Sequence, residues 1–193
     1  MTKITTWLFT ILTFAASAQT VEKLTVEPNH STIGFSIPIA GGVTRVTGKF
    51  MTFDMKLNYV NQNMEQSDVN FTIRTVSVNT GIEDRDKHLQ GEQFFSSEKH
   101  PEITFQSRQI RRKGKSYMAT GNLQMRGVEK EVSIPFKVIT IDKAINGVQI
   151  RWQLNRKDYG VGNDFKHSLV ENFLSDMVDV EIDISVRKDK RGQ

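Results

Sequence analysis

Period-two alternation of apolar and polar residues runs through most of the chain, and it restricts the fold more than any other feature. Ile33, Phe35 and Ile37 alternate with Gly34 and Ser36, and Val69, Phe71 and Ile73 with Asn70 and Thr72. Ile103 and Phe105 follow, then Tyr117, Ala119, Gly121, Leu123 and Met125, then Val132, Ile134, Phe136 and Val138, then Val148, Ile150, Trp152 and Leu154. Val178, Val180, Ile182, Ile184 and Val186 close the series against Asp179, Glu181, Asp183 and Ser185. Successive side chains of a strand point to opposite faces, so each run is a strand with one apolar and one wet face. That pattern belongs to antiparallel sheet. Glycines sit where the chain must reverse: Ala40-Gly41-Gly42, Arg112-Lys113-Gly114-Lys115, Arg126-Gly127 and Ile145-Asn146-Gly147. The last three lie between adjacent runs and read as hairpins. With residues 43–57 as one long bent strand or two, about eight strands form a meander, closed as an up-and-down barrel or packed as a sandwich.

Two segments depart from alternation. Residues 83–93 are charged and read as a short helix before Phe94-Phe95, with Asp84 able to accept orphan amide hydrogens as its cap. Residues 160–177 place Phe165, Leu169, Phe173 and Leu174 at roughly helical spacing. The tail after Val186 is charged and expected to fray.

The first 18 residues read as an address. Lys3, an apolar run from Trp7 to Ala16 and the Ala16-Ser17-Ala18 end have the layout of a secretory signal peptide, too short to span a bilayer comfortably. Cleavage after Ala18 leaves residues 19–193 as one domain, long enough to bury a core without disulfides. The chain has no cysteine, which excludes thiolate metal sites, redox pairs and a cysteine nucleophile. The formal charge of +4 falls to +3 without Lys3. The basic cluster Arg108, Arg111, Arg112, Lys113 and Lys115 surrounds a hairpin turn; export makes nucleic acid an unlikely partner, so it reads as a solvated tip.

Catalytic patterns are weak. His30, His88, His100 and His167 show no paired helical spacing and no HExxH. Asp84, Asp86 and His88 are close in sequence, but acidic residues at a helix start complement its dipole without any metal. There is no G-x-S-x-G elbow, P-loop or dinucleotide glycine pattern. His30-Ser31 reads as a strand entry with a local hydrogen bond. Ten of the 12 phenylalanines lie beyond residue 18, most on inward positions. An eight-stranded barrel either fills with such side chains or encloses one ligand, and alternation leaves both open.

The central block carries a resemblance. Ser77-Val78-Asn79-Thr80, Arg85-Asp86-Lys87-His88-Leu89, Phe94-Phe95, Pro101-Glu102-Ile103-Thr104-Phe105 and Ser107 closely resemble the YceI-like, polyisoprenoid-binding family. The flanks agree: His30-Ser31 with Phe35, Gly48-Lys49-Phe50, Gly121-Asn122-Leu123, Arg126-Gly127-Val128 and Asn155-Arg156-Lys157-Asp158-Tyr159-Gly160. The resemblance implies an all-β fold, an extended eight-stranded antiparallel lipocalin-like barrel with one or two short helices, usually exported to the periplasm or exterior. It implies an interior holding a long-chain isoprenoid or other fatty amphiphile, with no cofactor, no metal and no catalysis.

On this reading Phe35, Ile37, Phe50, Phe71, Ile73, Leu89, Phe94, Phe95, Phe105 and Trp152 face the apolar chain. Arg85, His88 and Arg156 meet its polar end, or instead pin the helix to the barrel through ion pairs with Asp86 or Asp158. The family's histidine shortly after the first strand's phenylalanine is replaced here by Pro38-Ile39, followed by Ala40-Gly41-Gly42, which makes the barrel mouth more apolar. A transient membrane-surface contact and a homodimer are compatible with the reading. Two rivals remain at this stage: a hydrolase or isomerase built on His30, His88 and Asp158, and a stress-related interaction module whose barrel is solid core.

Overall fold

The computed structural model describes residues 19–188 apart from 61, 142, 143, 169 and 171. The leader read at 1–18 lies outside the described residues. The described chain forms eleven strands: β1 (Val21–Val26), β2 (Thr32–Ile39), β3 (Thr44–Phe50), β4 (Phe53–Val60), β5 (Asn63–Arg74), β6 (Val78–Asn79), β7 (Glu102–Lys113), β8 (Ser116–Met125), β9 (Val128–Ile141), β10 (Ala144–Asn155) and β11 (Met177–Lys188). One α-helix, α1 (Glu83–Gln90), follows β6.

Every pairing is antiparallel. The order β1-β4-β5-β7-β8-β9-β10-β11 closes on itself through β1 and β11, from Leu24 opposite Lys188 to Val26 opposite Val186. This is the eight-stranded barrel that the family resemblance implied, and it decides between the barrel and the sandwich that alternation left open. Strands β2, β3 and β6 continue it at one end. β1 and β2 both run along β11, β3 and β4 follow each other with only Met51 and Thr52 between them, and β5 leads through a single 3-10 turn into β6. Residues 43–57 are therefore two strands in line. The closed ring has no edge, whereas the continuation hangs from β11 through β2.

The inward positions of the alternation form the core: Ile33, Leu57, Ile73, Ile103, Leu123, Ile134 and Ile184 are all buried. The Arg126-Gly127 turn is a two-residue hairpin with φ of 50° and 77°, as a type I′ turn requires. Gly121 answers a different need. A Cβ there would lie 2.1 Å from the Gln106 carbonyl oxygen, beside the β7 irregularity between Ser107 and Gln109.

Four expectations need correction. Residues 160–177 are not a helix; the described part is turns and extended chain, because Gly160 and Gly162 take φ of 70° and 66° and break any helical run. Asp84 does not cap α1, whose N-cap is Ile82 without a side-chain bond. Asn146-Gly147 is not the β9–β10 reversal but an irregularity inside β10, with Asn146 Oδ1 accepting the Ile141 amide at 2.8 Å. The tail does not fray immediately after Val186, since Arg187 and Lys188 pair with Thr25 and Leu24.

Candidate functional site

One elongated cavity of about 390 Å³ occupies the barrel interior. Its walls come from alternate residues of nearly every strand, which is why its surface is almost entirely hydrocarbon. All thirteen residues singled out from the sequence line it. Phe35 and Ile37 enter from β2, Phe50 from β3, Phe71 and Ile73 from β5, Phe105 from β7 and Trp152 from β10. Arg85, His88 and Leu89 come from α1, Phe94 and Phe95 from the segment after it, and Arg156 from the 3-10 turn that ends β10.

Aromatic contacts organise the helix end. Phe50 packs between Phe35 and Phe95, with ring centroids 5.8 and 5.5 Å away. Phe35 in turn lies over Gly48, where a Cβ would stand 2.4 Å from the ring. Phe94 meets His88 edge-on at 4.9 Å and Phe165 at 5.5 Å, and Phe165 leads on to Phe173 at 6.4 Å. His88 is exposed although it lines the cavity, so this is where the cavity approaches solvent.

The polar residues here differ in what they have left to offer. Arg156 is buried, and its guanidinium donates to the carbonyls of Ser175 (2.8 Å), Val161 (2.7 Å) and Gly162 (2.8 Å), with Leu174 at 3.4 Å. Burial pulls its pKa down, while Asp176 opposes this from 3.6 Å. The carboxylate facing Arg156 is therefore Asp176; Asp158 instead pairs with Lys130 at 2.9 Å. Arg85 donates Nε to the Thr80 hydroxyl (2.8 Å) and Nη2 to the Thr80 carbonyl (3.0 Å), which leaves Nη1 without an acceptor among the described residues. Asp86 makes no ion pair with Arg85; its Oδ1 accepts the Thr80 amide at 2.8 Å and hydroxyl at 2.5 Å. His88 Nε2 lies 2.9 Å from Gln93 Oε1.

His30, His88 and Asp158 do not converge. Only His88 reaches the cavity; His30 is exposed in a 3-10 turn, and Asp158 lies outside in its ion pair. The neighbouring Ser31 has the local role expected of it, donating to the Glu27 carbonyl at 2.7 Å and accepting the Ser185 amide at 3.0 Å. Among the described residues no group of three His, Asp or Glu side chains is placed to hold a metal, and no helix is long and apolar enough to cross a membrane.

Some lining residues escaped the sequence-based choice. Met64, Ile110, Ala119 and Phe136 line the end far from α1, and Phe173 and Leu174 line the near end. Alternation had already marked Ala119 and Phe136 as inward, so the signal existed. Phe173 and Leu174 sit in irregular chain; their roughly helical spacing marked them as apolar but pointed to a helix and not to the cavity.

The model of the YceI-like domain matches residues 24–186, from the first barrel strand to the last. The chain belongs to the YceI-like family. A UPF0312 protein of Pectobacterium carotovorum is 38% identical over 130 residues, 67% of each chain, and one of Photorhabdus laumondii is 36% identical over 110 residues, 57% of each. These matches span about three fifths to two thirds of those relatives' length. Burkholderia cenocepacia BcnA superposes with a TM-score of 0.75 at 20% identity, covering 84% of this chain and 99% of its own. A polyisoprenoid binding domain from Saccharophagus degradans, implicated in plant cell wall breakdown, gives 0.67 at 15% identity, covering 86% and 98%.

Within this YceI-like domain several residues behind the resemblance act as scaffold. Arg126 ties the α1 end together, donating to the carbonyls of Gly160 (2.8 Å) and Glu92 (2.7 Å). Tyr159, 1% exposed, has its hydroxyl buried without a partner, and burial pushes its pKa up to about 12.

Proposed function

We propose that this YceI-like protein binds a long-chain isoprenoid, such as an isoprenoid quinone or prenyl phosphate, or a similar amphiphile, and carries or sequesters it outside the cytoplasm without catalysis. The carrying observation is the hydrocarbon-walled cavity running along the barrel. Each buried methylene of a guest gains about 0.8 kcal/mol over water. A cavity of about 390 Å³ falls within the range of pockets that hold small organic ligands. The solid-core rival has no use for such a space. The enzymatic rival lacks its constellation, since His30 and Asp158 lie away from the cavity.

The guest's polar end stays where water or donors can reach it, because an unpaired buried polar group is costly. Arg85, with its unengaged Nη1, and exposed His88 suit that end; Arg156 offers hydrocarbon to the guest, its guanidinium being held by carbonyls. Residues 1–18 direct export to the periplasm or exterior, so the mature chain is expected to begin at Gln19.

Mass spectrometry of organic extracts from protein purified without detergent tests the function, together with titration of prenyl phosphates of increasing length. A stoichiometric long-chain species is expected, with affinity that stops rising once the added carbons no longer fit inside. Absence of any such species, with no binding of added isoprenoid, would sink the proposal.

A further inference from the structure

The β2–β3 hairpin ends in an exposed tip, residues 41–44, without a charge. Between Ser36 and Arg45 the sequence is Ile37-Pro38-Ile39-Ala40-Gly41-Gly42-Val43-Thr44, without a charge. Val43 is 86% exposed, the most exposed of the large apolar side chains. A Cβ on Gly41 or Gly42 would meet nothing within 4 Å, so the tip stands clear of the body. The base of the hairpin is fixed: the Ala40 amide donates to the Phe173 carbonyl at 2.8 Å, and the Ser175 amide to the Pro38 carbonyl at 3.0 Å.

Two further observations say what the tip meets. First, it is continuous with the cavity: Ile37 and Ile39 of β2, Val46 of β3, and Phe173 and Leu174 beside them all line it. Second, it carries no charge of its own. Residues 28–53 hold no Asp or Glu in a chain that carries 22; Arg45 flanks the tip, and Lys49 lies further down β3, opposite Gly34 and Asn79. Arg45 is held by Asp179, and Lys49 has no ion pair among the described residues. A short, uncharged apolar tip that adjoins an apolar cavity suits the interface of a lipid bilayer. It is too small for a stable protein interface, which needs roughly 800 Å² from each partner.

We propose that the β2–β3 tip inserts Val43 into a phospholipid bilayer and holds the adjoining cavity wall against it. A chain then passes between bilayer and cavity without exposing its methylenes to water. This rests on the lipid-binding reading and adds the docking surface and its partner.

The test uses the mature chain and vesicles of phosphatidylethanolamine and phosphatidylglycerol, empty or doped with a prenyl phosphate. Flotation with empty vesicles reads docking without any guest. Transfer from doped vesicles reads the coupled step, and loading from a cyclodextrin complex reads the cavity alone. Val43→Glu is expected to abolish flotation and slow vesicle transfer about tenfold or more while loading from cyclodextrin as the wild type does. Ile141→Glu, an exposed position at the opposite barrel end, is expected to change none of the three. Wild-type transfer by Val43→Glu, or a Val43-dependent dimer in place of flotation, overturns the docking proposal alone. A wild-type chain that loads nothing from cyclodextrin overturns the lipid-binding reading beneath it.

Discussion

Tyr159 carries a hydroxyl that is buried and unpartnered, so its oxygen lost water on folding and gained nothing in return. Tyr159→Phe is expected to be neutral to about 1 kcal/mol stabilising in urea unfolding at pH 7. The pH dependence has a definite sign. The folded pKa is raised to about 12 from 10.0, so the neutral phenol's contribution is intact below pH 10 and is lost as pH rises toward 12. That loss amounts to about 2–3 kcal/mol at about 1.4 kcal/mol per unit. Tyr159→Phe should remove it, and unfolding midpoints measured between pH 9 and 12 check this. Arg156 is the opposite case, a side chain whose donors are all engaged. Arg156→Met would orphan the carbonyls of Ser175, Val161 and Gly162 and is expected to cost about 3 kcal/mol or more. Arg156→Lys should recover little of it, because an ammonium cannot reproduce the planar fork. Both are measured by denaturant midpoint.

Among the elements, α1 is the one that packing alone does not hold. It has no buried residue, and its first turn lacks a capping side chain. Its anchor is Thr80, which gives its amide and hydroxyl to Asp86 and receives Arg85. Asp86→Ala is expected to cost about 1–3 kcal/mol locally and to loosen α1 before the barrel, seen as faster amide exchange in residues 84–90 with the strand amides unchanged. The limits of sequence legibility are clear at this scale. Strands announced themselves because a strand with one buried face must alternate, and β2, β5 and β7 through β11 follow that rule. β1 did not, being six residues with Leu24, Thr25 and Val26 all buried. Phe165, Phe173 and Leu174 mimicked a helical stripe because each packs toward the same cavity, yet the positive φ of Gly160 and Gly162 keeps their segment irregular. Arg85 and Arg156 line the cavity as the resemblance implied, but with other partners than Asp86 and Asp158. Thr80 and Asp176 are brought in by the turn after β6 and by the entry to β11, which spacing cannot report.

The whole molecule is two constructions in one sheet. The ring from β1 to β11 closes on itself, while β2, β3 and β6 extend it around the α1 end of the cavity. Alternation foresaw an antiparallel meander and the direction its apolar faces look, and the resemblance its closure into a barrel, but whether the interior is filled or hollow depends on how far opposite walls stand apart, a distance no one-dimensional pattern contains. The extension joins the ring through one strand-to-strand ladder, with the base of its hairpin also tied to residues 173–175. β2 is tied to the ring by the pairs from Asp179–Ser36 to Asp183–Thr32, and beyond them β3 has only β2 on one side and the two residues of β6 on the other. Swinging it would open the cavity sideways while every hydrogen bond of the ring stayed made. β3 and β4 follow each other directly in the chain, yet β3 amides are expected to exchange with a distinctly lower opening free energy than β4 amides, and native-state hydrogen exchange resolves the two. On the function proposed above, such a barrel would keep its stability and its access in separate strands.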